Sequence, residues 1–150
     1  MRALASIGVI AGLLVSAPAS AKGCLDQATL TAARLNEFSM MMMAVNLRCK
    51  AIGADMSAGY EAMLEAHRTA FAAADRRLRH HFSDQDRSFD KYETQMGNRY
   101  GGGATNHANC ARFEKVARDL ADKPDTAALG RVVFAMVATP RIEGTACPAP

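Results

Sequence analysis

The chain has 150 residues and a mass of 16.0 kDa, which is room for one ordinary domain. Its residues are 49% hydrophobic, 6% aromatic and 22% charged, so the chain is neither a disordered polyelectrolyte nor a multispanning membrane protein. The net charge of +3 is too balanced for a nucleic-acid binder, whose affinity depends on concentrated positive charge.

The first 21 residues have the pattern of a secretory signal peptide. Arg2 supplies a positive charge, and residues 4–15 form an uncharged apolar run that is too short to span a bilayer. Ala19-Ser20-Ala21 then offers the small residues that signal peptidase requires. Cleavage would leave one domain, residues 22–150, with 17 basic and 15 acidic side chains. We therefore expect a protein of the periplasm or the exterior, without a stable transmembrane anchor.

Apolar residues at steps of three and four predict an all-α, up-down bundle of about five helices. Helix 1 spans about Asp26–Ala51 and stops at Gly53, and helix 2 continues from a cap at Asp55 or Ser57 to about Phe82. Each is about 39 Å long at 1.5 Å per residue, so we expect a long antiparallel hairpin. The expected buried stripes are Leu35, Phe38, Met42, Val45, Cys49 and Ile52 in helix 1, and Tyr60, Leu64, His67, Phe71, Ala74 and Leu78 in helix 2.

Three shorter helices complete the predicted bundle, each bounded by a cap residue and by glycine or proline. Helix 3 runs from near residues 83–86 to the glycines at 101–103. Helix 4 runs from a cap at Thr105 or Asn106 to Lys123-Pro124. Helix 5 runs from a cap at Asp125 to Thr139-Pro140. Residues 141–150 are expected to be an irregular tail, because no alternating strand pattern is present.

Four cysteines follow the predicted signal, and an even number in an oxidising compartment implies two disulfides. Cys24 and Cys49 would lie more than about 35 Å apart along helix 1, whereas a disulfide needs Cα atoms within about 7 Å. This excludes Cys24–Cys49 and its complement Cys110–Cys147. Because up-down threading brings the end of helix 1 to the start of helix 4, we favour Cys49–Cys110 with Cys24–Cys147. The alternative is Cys24–Cys110 with Cys49–Cys147.

Met40–Met43 form a run of four consecutive methionines in helix 1. Successive helical residues turn by about 100°, so the four side chains cannot all face one core, and Met40 or Met43 should lie near the rim or be exposed. Thioethers pack adaptably at cores and partner surfaces, and they are also soft ligands for Cu(I). We interpret the run as a packing or partner-binding feature, with a copper site that uses Met40 and Met43 as the alternative.

The one basic cluster, Arg76-Arg77-x-Arg79-His80-His81, lies at the predicted end of helix 2, where cations meet the negative end of the helix dipole. We interpret it as a solvated helix terminus, with a docking patch for an acidic partner or an anionic lipid as the alternative. No G-x-S-x-G nucleophile motif, C-x-x-C pair or dinucleotide fingerprint is present. The sequence therefore predicts neither an enzyme nor a cofactor.

Several short motifs stand together along residues 22–150, among them Cys24-Leu25, Met41-Met42-Met43-x-Val45-x-Leu47-Arg48-Cys49, Leu78-x-x-His81-Phe82, Tyr92-x-Thr94, Asn98-x-Tyr100-Gly101, Cys110 and Cys147-Pro148. Together they make the chain resemble a group of small secreted four-cysteine helical proteins of alphaproteobacterial type. The resemblance covers most of these residues. It implies export and a disulfide-braced helical fold, and it implies no chemistry.

We therefore predict an exported, disulfide-stabilised helical protein that acts as a binding or structural module of the cell envelope. Its partner would be an envelope protein or a small ligand. The alternative is a periplasmic protein that binds copper or a small ligand through the Met40–Met43 region. The candidate surface combines the methionine run with the polar connector at residues 98–109, and its residues are Met40, Met43, Arg99, Tyr100, Asn106 and His107.

Overall fold

The computed structural model describes residues 24–83 and 89–148 of the chain. The predicted signal peptide at residues 1–21 lies outside the described residues, as does most of the expected start of helix 3. The described part confirms the all-α prediction, and none of its helices is both long and apolar enough to cross a membrane. Its helices are α1 (Gln27–Ala51), α2 (Ser57–Ala66), α3 (Arg68–Ser83), α4 (Phe89–Gly101), α5 (His107–Ala121) and α6 (Thr126–Met136).

The first helix, α1, is the central element and contacts all five of the others. It begins at Asp26, whose side chain accepts the Thr29 N–H at 2.7 Å and satisfies one of the free donors of the first turn. Two residues after the end of α1, Gly53 has a φ of +78°, the left-handed conformation that glycine adopts without a Cβ clash. The Gly53 and Ala54 N–H groups then donate to Lys50 and Cys49 carbonyls, which closes the last turn.

The predicted caps of the later helices are confirmed in part. Asn106 and Asp125 cap α5 and α6, because each side chain accepts the backbone N–H three residues ahead. The N-cap position of α2 is instead Met56, which makes no side-chain cap hydrogen bond. Asp55 accepts the Ser57 N–H at 2.9 Å, so it stabilises the turn before α2 rather than the helix end itself.

The prediction of one long second helix is wrong, because the helix is interrupted at His67, which separates α2 from α3. The His67 ring is 3% exposed, and its Nε2 lies 2.9 Å from the carbonyl oxygen of Leu120 near the end of α5. The expected hairpin is therefore only half present, since α3 packs along α1 whereas α2 packs mainly on α5. The break allows one apolar stretch of sequence to cover two different partners.

The close approach of α2 to α5 depends on Gly59. A Cβ at this position would lie 3.3 Å from Cγ of Arg118 and 3.8 Å from Cβ of Ala117. Gly59 and Met63 are the buried residues of α2, while the predicted inward residues Tyr60 and Leu64 are half-buried. The helix is thus rotated relative to the prediction, because it faces α5 rather than α1.

Two clusters of buried apolar side chains lie on different sides of α1. The first cluster is made of Phe38, Met42, Val45, Cys49, Met56, Met63, Cys110, Ala117, Leu120, Leu129, Val133 and Val137. The second cluster is made of Ala32, Ala33, Ala74, Leu78, Phe82, Phe89, Tyr92 and Met96. The expected core residue Ile52 is instead 38% exposed, because α1 has already ended at Ala51.

Both disulfides have the favoured pairing. Cys49–Cys110 joins the end of α1 to the first turn of α5 with its Cα atoms 5.7 Å apart, and Cys24–Cys147 joins the two terminal segments at 4.9 Å. Beside the second bridge, β1 (Cys24–Leu25) pairs in parallel with β2 (Thr145–Ala146). The tail is therefore not wholly irregular, because the disulfide holds its backbone next to the start of the fold.

Candidate functional site

The methionine run lies on the central helix, and its side chains meet different neighbours. Met42 is fully buried in the first cluster, and Met41 packs against the edge of the same cluster. Met40 packs against the second cluster, and Met43 is half-buried. Because α1 has helices on several sides, Met40, Met41 and Met42 reach apolar clusters although successive side chains point about 100° apart. Met40 thus lies on the side of α1 that faces α3 and α4.

The other residues of the predicted surface have separate structural roles. Arg99 stacks over the Tyr100 ring at 5.8 Å, and the Tyr100 hydroxyl turns inward to Glu37. Asn106 is used as the cap of α5, and His107 is the exposed first residue of that helix. Of the six predicted surface residues, Met40 alone lines the groove described next.

A groove of about 370 Å³ lies between α1, α3 and α4, a volume within the usual range for small-molecule sites. Three helix faces build it: one turn of α1 around Met40, two turns of α3 and the first half of α4. The side chains that line it are Asn36, Ser39, Met40, Phe71, Ala72, Asp75, Arg76 and Glu93. The lining therefore combines an apolar wall with an amide, a hydroxyl, two carboxylates and a guanidinium.

Asn36 carries the most unusual polar atom of the groove. Its side-chain oxygen is shielded from solvent and has no hydrogen-bond partner among the described residues. A buried polar atom without a partner costs about 1–3 kcal/mol, and such atoms in proteins usually bind water or a ligand. Because this oxygen is shielded from solvent, a molecule in the groove could reach it only if the surrounding side chains moved.

The charges around the groove come from α3 and α4. Asp75 is paired with Arg79, whose Nε lies 3.0 Å from the carboxylate, and this hydrogen bond raises the pKa of the Arg79 guanidinium. Arg77 pairs with Asp26 at the start of α1. Arg76 is exposed and has no ion-pair partner in the described ranges, and the Glu93 carboxylate is half-buried. Of the three arginines in the basic cluster, Arg77 and Arg79 are thus held in ion pairs, and Arg76 lines the groove without an ion pair among the described residues.

A second polar site, which the sequence analysis missed, is the buried carboxylate of Glu37. It is 2% exposed, accepts the Tyr100 hydroxyl at 2.5 Å and accepts the Arg141 N–H at 2.7 Å. Burial raises the pKa of the Tyr100 hydroxyl, and the hydrogen bond to Glu37 raises it further. A signal was present, because Glu37 follows Ala33 by one helical turn and so falls on an apolar face.

The Glu37 site also includes Tyr92 and Arg48. The Tyr92 hydroxyl is buried without a hydrogen-bond partner in the described structure, and burial and the Glu37 charge raise its pKa. Arg48 donates to the carbonyl oxygens of Tyr100 and Gly102, which holds the end of α4 against α1. These contacts position helices rather than form an open site, so we assign the Glu37 network a structural role.

The groove contains no histidine or cysteine among its lining residues. Over residues 24–83 and 89–148, no three His, Cys, Asp or Glu side chains come together in a way that could hold a metal ion. The geometry is instead suited to hydrogen-bonding and apolar contact with a small organic molecule. Comparisons with protein-family models, curated proteins and solved structures find no match to this chain.

Proposed function

We propose that this protein is an exported binding module of the cell envelope, which holds a small organic ligand in the groove between α1, α3 and α4. The observation that carries the proposal is the mixed lining of a groove of about 370 Å³, in which the half-buried Glu93 carboxylate and the exposed Arg76 guanidinium lie beside the apolar side chains of Met40 and Phe71. A small molecule with both polar and apolar groups could contact each part of this lining.

Export is supported by the two disulfides, which persist in oxidising compartments and are rare in the cytosol. The signal-like pattern at residues 1–21 and the resemblance to secreted four-cysteine helical proteins agree with this. Expression of the full chain with its N-terminal segment in a bacterial host tests it. We expect a periplasmic or secreted product that begins after Ala21, and a full-length cytosolic product would contradict export.

The small-ligand proposal is favoured over the copper alternative by the placement of the methionines. The copper alternative uses Met40 and Met43, of which Met40 lines the groove, whereas Met43 is half-buried and does not line it. A soft Cu(I) site needs two or three sulfur or imidazole ligands at one point. The groove instead offers one thioether together with oxygen acceptors.

Mapping by two-dimensional ¹⁵N–¹H NMR tests the binding proposal. A panel of free amino acids, simple amines, carboxylates and sugars is titrated into the disulfide-bonded protein. We expect at least one member to shift the amide signals of Ser39, Met40, Ala72 and Glu93. Ala72→Trp, which fills the groove, should abolish this response, and Ala73→Trp on the exposed neighbouring face should preserve it. Shifts confined to other helices, or no response to any class, would overturn the proposal.

A second candidate is a protein–protein module, and the exposed apolar side chains favour it. Leu47 is 60% exposed, and Phe134 is 52% exposed with the Arg34 guanidinium 4.2 Å from the centre of its ring. Exposed apolar side chains of this size also occur at protein–protein interfaces. A photocrosslinking amino acid at position 47 tests this candidate in intact envelopes. A discrete crosslinked product that is lost when the probe is moved to the exposed position Arg112 would support it, and identical patterns at both positions would contradict it.

A further inference from the structure

The groove contains a carboxylate that can bind a positively charged group. Glu93 is half-buried and lines the groove from α4. An ammonium group has three N–H donors and a positive charge, so it can pair with this carboxylate. The Ser39 hydroxyl on α1 lines the same groove and can accept a further hydrogen bond from the ammonium group.

The same groove holds a cation without an internal partner. Arg77 and Arg79 are paired with Asp26 and Asp75, whereas Arg76 has no ion pair among the described residues. A guanidinium binds a carboxylate through two parallel hydrogen bonds, which a single positive charge on a lysine does not offer. Arg76 is therefore placed to bind an anionic group of a ligand whose cationic group contacts Glu93.

The remaining lining is apolar and small. Met40, Phe71 and Ala72 are half-buried and form a wall between α1 and α3. A thioether and an aromatic ring accept branched or linear apolar groups without a fixed shape, because methionine repacks easily. A volume of about 370 Å³ is small, so it suits a single amino acid better than a peptide chain.

We infer that the groove takes a small zwitterion, a free α-amino acid with an apolar side chain. Its ammonium group contacts Glu93, its carboxylate pairs with Arg76, and its side chain lies against Met40 and Phe71. The inference rests on the proposed ligand-binding function and names the class of ligand.

Isothermal titration calorimetry of the disulfide-bonded protein tests it with three matched probes. L-Leucine carries both charges, 3-methylbutylamine lacks the carboxylate, and 4-methylpentanoate lacks the ammonium group. We expect L-leucine to bind at least about tenfold more tightly than either analogue, since each charged group contributes a charge-assisted hydrogen bond. Arg76→Gln should weaken L-leucine by about tenfold and leave the amine unchanged, whereas Glu93→Gln should weaken L-leucine and the amine alike. The exposed Arg131→Gln is the control that should change neither.

The outcomes separate the two proposals. Equal binding of L-leucine and one analogue, or loss of binding by neither variant, would overturn the zwitterion inference. If a compound of another class in the NMR panel then binds, and Ala72→Trp abolishes its binding, the groove remains the site and only the ligand class is wrong. If no probe of any class responds to Ala72→Trp, both proposals fail. Circular dichroism and thermal unfolding of each variant confirm that the fold is retained.

Discussion

The buried carboxylate of Glu37 accepts a hydrogen bond from the Tyr100 hydroxyl at 2.5 Å, which joins the middle of α1 to the end of α4. Its second oxygen accepts the Arg141 N–H, so one side chain also holds the segment after α6. A carboxylate in the interior is costly unless donors surround it. The Glu37 site thus links three parts of the chain that are far apart in sequence.

Removal of the Tyr100 hydroxyl should leave a buried charge with fewer donors. We expect Tyr100→Phe to lower the free energy of unfolding by about 1.5–3 kcal/mol, the usual value for a hydrogen bond to a charged group. Urea denaturation of the wild type, Tyr100→Phe, Glu37→Gln and the double variant gives the coupling energy. We expect about 1–3 kcal/mol, as for residues in direct contact. Tyr60→Phe is the matched control, and a coupling near zero would contradict the interpretation.

The Asp26 cap predicts an acid-dependent loss of stability. Hydrogen bonds from the Thr29 side chain and backbone, and the neighbouring Arg77, lower the pKa of Asp26 from 3.8 to about 2. Because the folded pKa lies below the unfolded one, this stabilisation is complete above pH 3.8 and is lost as the pH falls through about 2. Asp26→Asn keeps a capping oxygen but does not titrate. We expect Asp26→Asn to be less stable than the wild type at neutral pH, and the difference in stability to shrink between pH 4 and pH 2. Thermal unfolding at each pH measures this difference. A difference that stays constant over this pH range would contradict the prediction.

The two disulfides should differ in their access to a reductant. Cys49 and Cys110 are 0% and 2% exposed, whereas Cys24 and Cys147 are half-buried at the joined termini. A reducing thiolate must reach a sulfur atom, so Cys24–Cys147 should open first. Timed reduction, alkylation and mass spectrometry of the peptides measure the order in which the two disulfides open. Reduction of Cys49–Cys110 before Cys24–Cys147 would contradict the predicted order of opening.

Replacement of either cysteine pair by alanine should lower the free energy of unfolding by about 2–5 kcal/mol. The loss should be larger for the Cys49–Cys110 pair, whose sulfurs also pack in the first cluster.

The contact between α2 and α5 should not tolerate a large side chain at Gly59. A Cβ there already meets Arg118 at 3.3 Å, so the longer side chain of Gly59→Leu must push the helices apart. We expect a loss of about 1–3 kcal/mol in the free energy of unfolding, the usual cost of overpacking. Ala58→Leu on the exposed neighbouring position is the control and should change stability by less than about 0.5 kcal/mol. Equal effects of the two substitutions would show that Gly59 is not a packing constraint.

Local sequence signals were sufficient for the helical class of the fold and for most helix ends, although not for the break between α2 and α3. Gly53, Asn106 and Asp125 act within one turn of their own position, so their roles are readable without a fold. The rigid length of α1 separates Cys24 from Cys49 and so excluded one of the three disulfide pairings, and the expected up-down order of the helices favoured the observed one of the other two. Helix periodicity and covalent reach thus defined an all-α, two-disulfide chain in advance.

The break at His67 and the hydrogen-bond partners of Glu37 had no comparable local signal, because both depend on residues far along the chain. The His67 ring reaches the Leu120 carbonyl, and Glu37 reaches Tyr100 and Arg141. The groove also depends on contacts between distant parts of the chain. Met40 and Arg76 line the same groove because α3 is separate from α2 and packs along α1. The sequence alone thus established a disulfide-braced helical chain. The candidate site was decided by the packing of the helices against one another. Hydrogen bonds and grooves between helices depend on distances that no local pattern encodes.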